Sequence, residues 1–156
     1  MTESREPHES IGPATMRHLR EVLDDHARFW GTRDLRAFHL PTLIHEFPQT
    51  CLVATTGNEI HGYIIGFVTP DHVAYAHLIA TRDDTRGTGL GRRLYSAFAT
   101  AARPLGATDL KAITTPTNHT SINFHKALGF VTRLVEDYNG PGQPRIVFTR
   151  NLNPPF

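Results

Sequence analysis

Seven residues constrain this chain more than any others. Arg86-Gly87-Thr88-Gly89-Leu90-Gly91-Arg92 forms a turn between an apolar run, Tyr75 to Thr81, and an amphipathic helix starting near Leu90. Glycines at alternate positions strip the side chains from a turn that feeds a helix N-terminus, and such a turn leaves backbone N–H groups free to converge on an anion. The helix dipole favours negative charge at that point, and Arg86 and Arg92 bracket it with positive charge. The spacing predicts a pyrophosphate site made of Arg86, Gly87, Thr88, Gly89, Leu90, Gly91 and Arg92. The plainer reading, a Gly-rich connection with flanking charges, is outweighed by the strand before it and the helix after it.

Two familiar phosphate loops are excluded by spacing. A dinucleotide fingerprint needs its third glycine at position 92, which is Arg92. A P-loop would end in Gly-Lys-Ser or Gly-Lys-Thr, whereas two arginines follow Gly91.

Composition allows one domain with a self-sufficient core: 156 residues, 39% hydrophobic and 20% charged. A formal charge of +1 argues against a broad nucleic-acid footprint. Cys51 is the single cysteine, so no internal disulfide can form and a reducing, cytoplasmic setting is expected. No run reaches the length of a membrane span, and the first residues lack the apolar core of a signal peptide. The ten histidines are dispersed, with no metal-ligand spacing among them, so no metal is expected.

Along the chain, residues 1–13 read as a flexible lead ending in Gly12-Pro13, with His8 to Ile11 a poor strand candidate. A helix is expected from about Ala14 to Trp30. A short helix follows over Leu35 to His39 or after Pro41. Strands are expected over Cys51 to Ala54 and His61 to Val68, joined by a hairpin at Thr56-Gly57-Asn58-Glu59, and then over Val73 to Thr81. The helix from Leu90 carries Leu94, Ala97, Phe98, Ala101 and Leu105 on one face. A strand at Leu110 to Thr114, a helix at Thr120 to Leu128 and an antiparallel pair, Val131 to Tyr138 with Ile146 to Leu152, complete the chain. The last strand is apolar and needs a neighbour or cover, which a second copy in a homodimer would supply.

A second motif follows the strand ending at Thr114: Asn118-x-x-Ser121-x-x-Phe124-His125-x-x-x-Gly129-Phe130. Arg86, Gly89 and Gly91, followed by this motif one helix and one strand later, resemble the GNAT superfamily of acyl-CoA-dependent N-acetyltransferases. The likeness runs from about Cys51 to Leu152. It implies a mixed α/β fold: a mostly antiparallel central sheet with one splayed parallel strand pair, flanked by helices. It also implies acetyl-CoA as co-substrate, with pantetheine amides meeting the backbone of Ile79, Ala80 and Thr81, and with Asn118, Ser121 and Phe124 lining its path. The competing reading for Asn118 is a helix N-cap, and both roles can coexist.

Acetyl transfer to an amine needs a base for the amine proton, a donor for the oxyanion and an acid or positive field for the thiolate. Members of the superfamily often place a Glu or His on the fourth strand as base. That strand has no Glu here but carries His77, and an ordinary imidazole titrates near ~6.5. A packed histidine without chemistry is the competing reading, and Asp71, His72 and Glu46 are fallback bases. The superfamily's usual acid is a tyrosine at the position of His125. His125 could donate as an imidazolium, or it could merely contact CoA while Tyr95, Tyr138 or solvent supplies the proton. The oxyanion donor is expected to be a backbone N–H near Ile79 and Ala80. The resulting expectation is acetylation of a small-molecule primary amine, with the stretch Phe29 to Phe47 forming the acceptor wall. The alternatives are a protein N-terminus, a lysine or aminoacyl-tRNA as acceptor, or a CoA-binding regulatory module without catalysis.

Overall fold

The computed structural model describes residues 8–156. Its elements, in chain order, are β1 (Glu9–Pro13), α1 (Met16–Asp24), α2 (His26–Trp30), α3 (Pro41–Glu46), β2 (Cys51–Thr56), β3 (Glu59–Val68), β4 (Val73–Thr81), α4 (Leu90–Ala102), β5 (Asp109–Thr114), α5 (His119–Ala127), β6 (Val131–Val135) and β7 (Arg145–Asn151). The strands form one seven-stranded sheet in the order β1-β2-β3-β4-β5-β7-β6, with β4 and β5 its parallel pair. The expected mixed, mostly antiparallel sheet flanked by helices is thus the observed one.

Three expectations are corrected. The segment Glu9–Pro13 is a strand antiparallel to β2, not a loose lead; residues 1–7 of that lead lie outside the described ones. Its own sequence is a weak strand former, and pairing to the open edge of β2 decides it. The helix expected over Ala14 to Trp30 is two helices broken at Asp25; Thr15 caps the first by accepting the His18 N–H. The apolar last strand needs no second copy, because β7 lies between β5 and β6 within the chain.

Side chains alternate between the two faces of the sheet and bury two cores. On one face α4 packs Leu94, Tyr95 and Phe98 against Ile64, Ala74, Ala76, Leu110 and Phe148. On the other, α1 to α3 pack Leu19, Val22, Phe29 and Ile44 against Val53, Tyr63, Ile65 and Leu78. Gly66 lets α4 approach: a Cβ there would collide with the Tyr75 carbonyl oxygen and lie 2.8 Å from the Phe98 ring.

One irregularity interrupts the pairing of β3 with β4. Ile65 pairs with Leu78 but Gly66 pairs with Ala76, so His77 is an extra residue in β4, a β-bulge. The bulge reverses the alternation: Ala74 and Ala76 face α4, whereas Leu78 and Ala80 face the opposite core.

Candidate active site

The parallel ladder between β4 and β5 runs from Val73–Asp109 to Ala76–Ala112 and stops there, although β4 continues to Thr81 and β5 to Thr114. It stops at the residue before the bulge. Beyond that point the strands part, and the β5-facing backbone edge of residues 77–81 has no strand partner. Ile79 and Thr81 are half-buried and Ala80 is buried, so backbone rather than side chains is what this edge offers a ligand.

At the open end of β4, the chain enters the glycine turn. Arg28 binds Asp83 at 3.0 Å and Asp84 at 3.2 Å, and Arg82 binds Asp84 at 2.6 Å, so the acidic residues before the turn are neutralised. Gly87 and Gly89 have φ of +79° and +81°, left-handed values that a Cβ opposes. Gly89 is the N-cap of α4, and no side chain bonds the first N–H groups of the helix. An uncapped N-terminus at an exposed turn is open to an anion. The turn itself is held from outside: Thr88 donates to the Thr85 carbonyl at 2.6 Å. Arg93 donates to the Thr88 carbonyl at 2.8 Å and forks onto Glu9 at 2.7 and 2.9 Å. Arg93 holds the Glu9 carboxyl below its ordinary value. Arg86 reaches back to the Phe29 carbonyl at 3.2 Å, and Arg92 is exposed. Leu90 is buried in the α4 core.

The second motif sits beside this turn. Asn118 accepts the Ser121 N–H at 3.3 Å and donates to Thr114 Oγ1 at 2.9 Å, so it is the N-cap of α5 and ties that helix to the end of β5. Phe124 packs against Gly91: a Cβ on that glycine would lie 2.7 Å from the ring. Only glycine at 91 lets α4 and α5 meet this closely.

His125, expected as an imidazolium acid or a CoA contact, is bonded at both ring nitrogens. His125 Nδ1 lies 2.8 Å from the Ser121 carbonyl, which can only accept, so Nδ1 carries the proton. Nε2 then accepts from the Tyr95 hydroxyl at 2.7 Å. Both ring nitrogens are spent, the ring stacks on Phe148 at 4.0 Å and 2°, and burial pulls its pKa from 6.5 to about 4. Burial also raises the Tyr95 phenol, which makes it a poor proton donor. Phe148 pairs with Ala112, the last rung of the parallel ladder, so this neutral pair forms the floor where the strands part.

His77 is placed differently. Its Nε2 lies 2.9 Å from the Phe38 carbonyl and must donate, which leaves Nδ1 with a free lone pair. The ring is half-buried on the face opposite α4. Sequence reasoning missed what holds Phe38 in place. Trp30 Nε1 donates to the Tyr63 hydroxyl at 2.6 Å, and Tyr63 donates to His39 Nε2 at 2.7 Å. His39 Nδ1 in turn donates to the Leu35 carbonyl at 2.7 Å, and His26 Nε2 accepts the Leu35 N–H at 3.0 Å. Burial lowers the pKa of His26 and of His39, and it raises that of Tyr63. Of the expected acceptor wall, Phe29 and His39 are therefore scaffold, while Phe38 is half-exposed. Of the fallback bases, Asp71 and His72 lie in the turn before β4, at the closed end of the parallel ladder, and Glu46 is exposed at the end of α3. Tyr138 is exposed in the turn between β6 and β7.

Among the described residues, no helix is long and apolar enough to cross a membrane, and no group of three His, Cys, Asp or Glu could hold a metal ion.

The model of the Acetyltransferase (GNAT) family matches residues 16–130. The L-2,4-diaminobutyric acid acetyltransferase of Halomonas elongata is 32% identical over 111 residues, which cover 69% of this chain and 54% of that protein. The chain thus spans about half the length of this curated relative. Ard1 from Thermoplasma volcanium superposes with a TM-score of 0.78 at 22% identity, over 92% of this chain and 97% of that one. A putative acetyltransferase of Salmonella typhimurium, solved with its cofactor acetyl-CoA, gives 0.66 at 19% identity, over 94% and 95%. These structural likenesses establish the fold, and the family match over most of the sequence establishes the kinship: the chain belongs to the GNAT family of acetyltransferases.

Proposed function

We propose that this protein transfers an acetyl group from acetyl-CoA to the primary amine of a small molecule by direct attack on the thioester. The observation that carries this reading is the parting of β4 and β5 at the His77 bulge, with an uncapped α4 N-terminus at one end and a free imidazole nitrogen at the parting. The residues fit the co-substrate. The N–H groups at Gly89 to Arg92, with Arg86 and Arg92 beside them, suit a pyrophosphate. The free edge of Ile79 to Thr81 suits the pantetheine amides as an added strand would. Gly87 and Thr88 shape the turn, Asn118 and Ser121 hold the start of α5, and Phe124 closes the gap between the two helices. The curated relative's name points to a small amine as acceptor.

Acetyl-CoA, when bound, supplies an activated acetyl thioester. His77 Nδ1 takes the proton that the amine loses as its nitrogen bonds to the acetyl carbon. The Phe38 carbonyl, accepting from Nε2, steadies the imidazolium that results. Backbone N–H groups near Ile79 and Ala80 face the charge that gathers on the carbonyl oxygen. As the carbon–sulfur bond breaks, the thiolate draws its proton from solvent, because the His125–Tyr95 pair is neutral and internally bonded.

The test is thiol release from acetyl-CoA over a panel of primary amines, for wild type and His77→Ala, from acid to alkaline pH. His77→Ala is expected to lower kcat/KM by roughly 100-fold near neutrality, the lower end of the usual contribution of general acid–base groups. Partial recovery is expected at alkaline pH, where the acceptor is already deprotonated. A variant with wild-type rates at every pH would remove His77 from the chemistry. No thiol release and no thermal stabilisation by acetyl-CoA would overturn the reading as a whole.

A further inference from the structure

On the sheet face opposite α4, five rings follow one another. Phe38 lies 6.2 Å from His77, His77 6.3 Å from Tyr75, Tyr75 5.5 Å from Phe67, and Phe67 5.1 Å from Phe47, centroid to centroid. Ordinary strand alternation puts Tyr75 and His77 on this face while Ala74 and Ala76 turn towards α4, and the bulge then adds Leu78 to the same face. From the imidazole the row runs inward to a concavity of about 600 Å³, in which Phe47 and Phe67 are joined by Gln49, Thr50, Pro70 and Leu105. No residue lining that concavity carries a formal charge. The outer end of the row is also apolar, because Phe38 is 50% exposed and neighbouring Leu40 43% exposed. The parallel register sets Lys111 opposite Tyr75 and Asp109 opposite Val73, both on the face that Leu110 and Ala112 do not use, so β5 brings one cation and one carboxylate to that face.

We infer that the acceptor is an arylalkylamine: a primary amine at His77 carried by an uncharged aromatic body that lies along the Tyr75–Phe67–Phe47 row. This rests on the acetyl-transfer reading and names its substrate class. An aromatic body stacks on or edges against successive rings at these spacings. The concavity offers room and no carboxylate, so a second ammonium or an amino-acid head group entering it would be desolvated without a partner. Phe38 is the specificity residue at the open end: its carbonyl holds His77 and its half-exposed ring lies beside the imidazole.

Three amines test this with acetyl-CoA as donor: 2-phenylethylamine, n-butylamine and L-2,4-diaminobutyrate, measured by thiol release. The kcat/KM for 2-phenylethylamine is expected to exceed the other two by at least roughly tenfold, in line with an aromatic side chain's worth in an apolar site. Phe38→Ala keeps the backbone carbonyl and is expected to draw the phenylethylamine-to-butylamine ratio towards one. Equal or better turnover of diaminobutyrate or butylamine by wild type would overturn the inference and leave acetyl transfer standing. So would a Phe38→Ala variant with an unchanged ratio, or an enzyme that is stabilised by acetyl-CoA yet acetylates none of the three. Absence of both turnover and acetyl-CoA binding would overturn the parent reading.

Discussion

Replacing His125 with phenylalanine should change how stability depends on pH, by an amount the site itself sets. The folded protein holds His125 neutral, its pKa pulled from 6.5 to about 4 by burial. The unfolded chain therefore binds this proton more readily. The stabilising contribution is present above pH 6.5 and is lost as pH falls towards 4, at up to about 1.4 kcal/mol per pH unit. Between pH 7 and pH 5 the wild type should lose about 2 kcal/mol through this one residue. His125→Phe fills the same space against Phe148 but leaves the buried Tyr95 hydroxyl without its acceptor, at a cost of about 1–3 kcal/mol at pH 7. The variant should thus be less stable than wild type at pH 7 and nearly equal to it at pH 5. His26 and His39, also lowered by burial, titrate in both proteins and cancel from the difference. The assay is urea unfolding at the two pH values, or melting, where about 2 kcal/mol amounts to roughly 4–8 °C. The double variant Tyr95→Phe/His125→Phe removes the orphaned hydroxyl as well and should recover stability at both pH values. Parallel pH curves for wild type and His125→Phe would refute the assignment of a buried, neutral His125.

Two further outcomes follow from the same geometry. Gly89→Asp sets a carboxylate at the mouth of the α4 N-terminus, in a left-handed position that Asp tolerates better than most residues. It should weaken acetyl-CoA binding by roughly 100-fold in calorimetry while the protein stays folded; undiminished affinity in a folded variant would remove the turn from the cofactor site. Tyr63→Phe deprives Trp30 of its acceptor and His39 of its donor, and should cost about 2–4 kcal/mol in urea unfolding. Because that network sets Phe38, and Phe38 holds His77, the acceptor KM should also rise; loss of stability with unchanged kinetics would uncouple the scaffold from the site.

What the sequence determined by itself is local. The β-rich apolar runs Cys51–Ala54 and Val73–Thr81, the Gly57-Asn58 turn, the 3.6-residue stripe from Leu90 and the glycines of residues 86–92 each express a preference within a few residues. They were enough to place the sheet, the anion turn and the Asn118-to-Phe130 motif, and through them the family. What only the tertiary structure decided depends on pairings between distant residues. Glu9–Pro13 is polar and ends in Gly-Pro; it becomes a strand because β2 has an open edge to fill. His77 becomes a bulge because β3 and β4 meet in shifted register, and no pattern within β4 shows that slip. His125 looked like an acid at a motif position. Its character was set by Tyr95, 30 residues earlier, and by Phe148 on a later strand, which bury it and use both its nitrogens. A side chain's proton affinity belongs to its surroundings, and those are assembled only when the chain has folded.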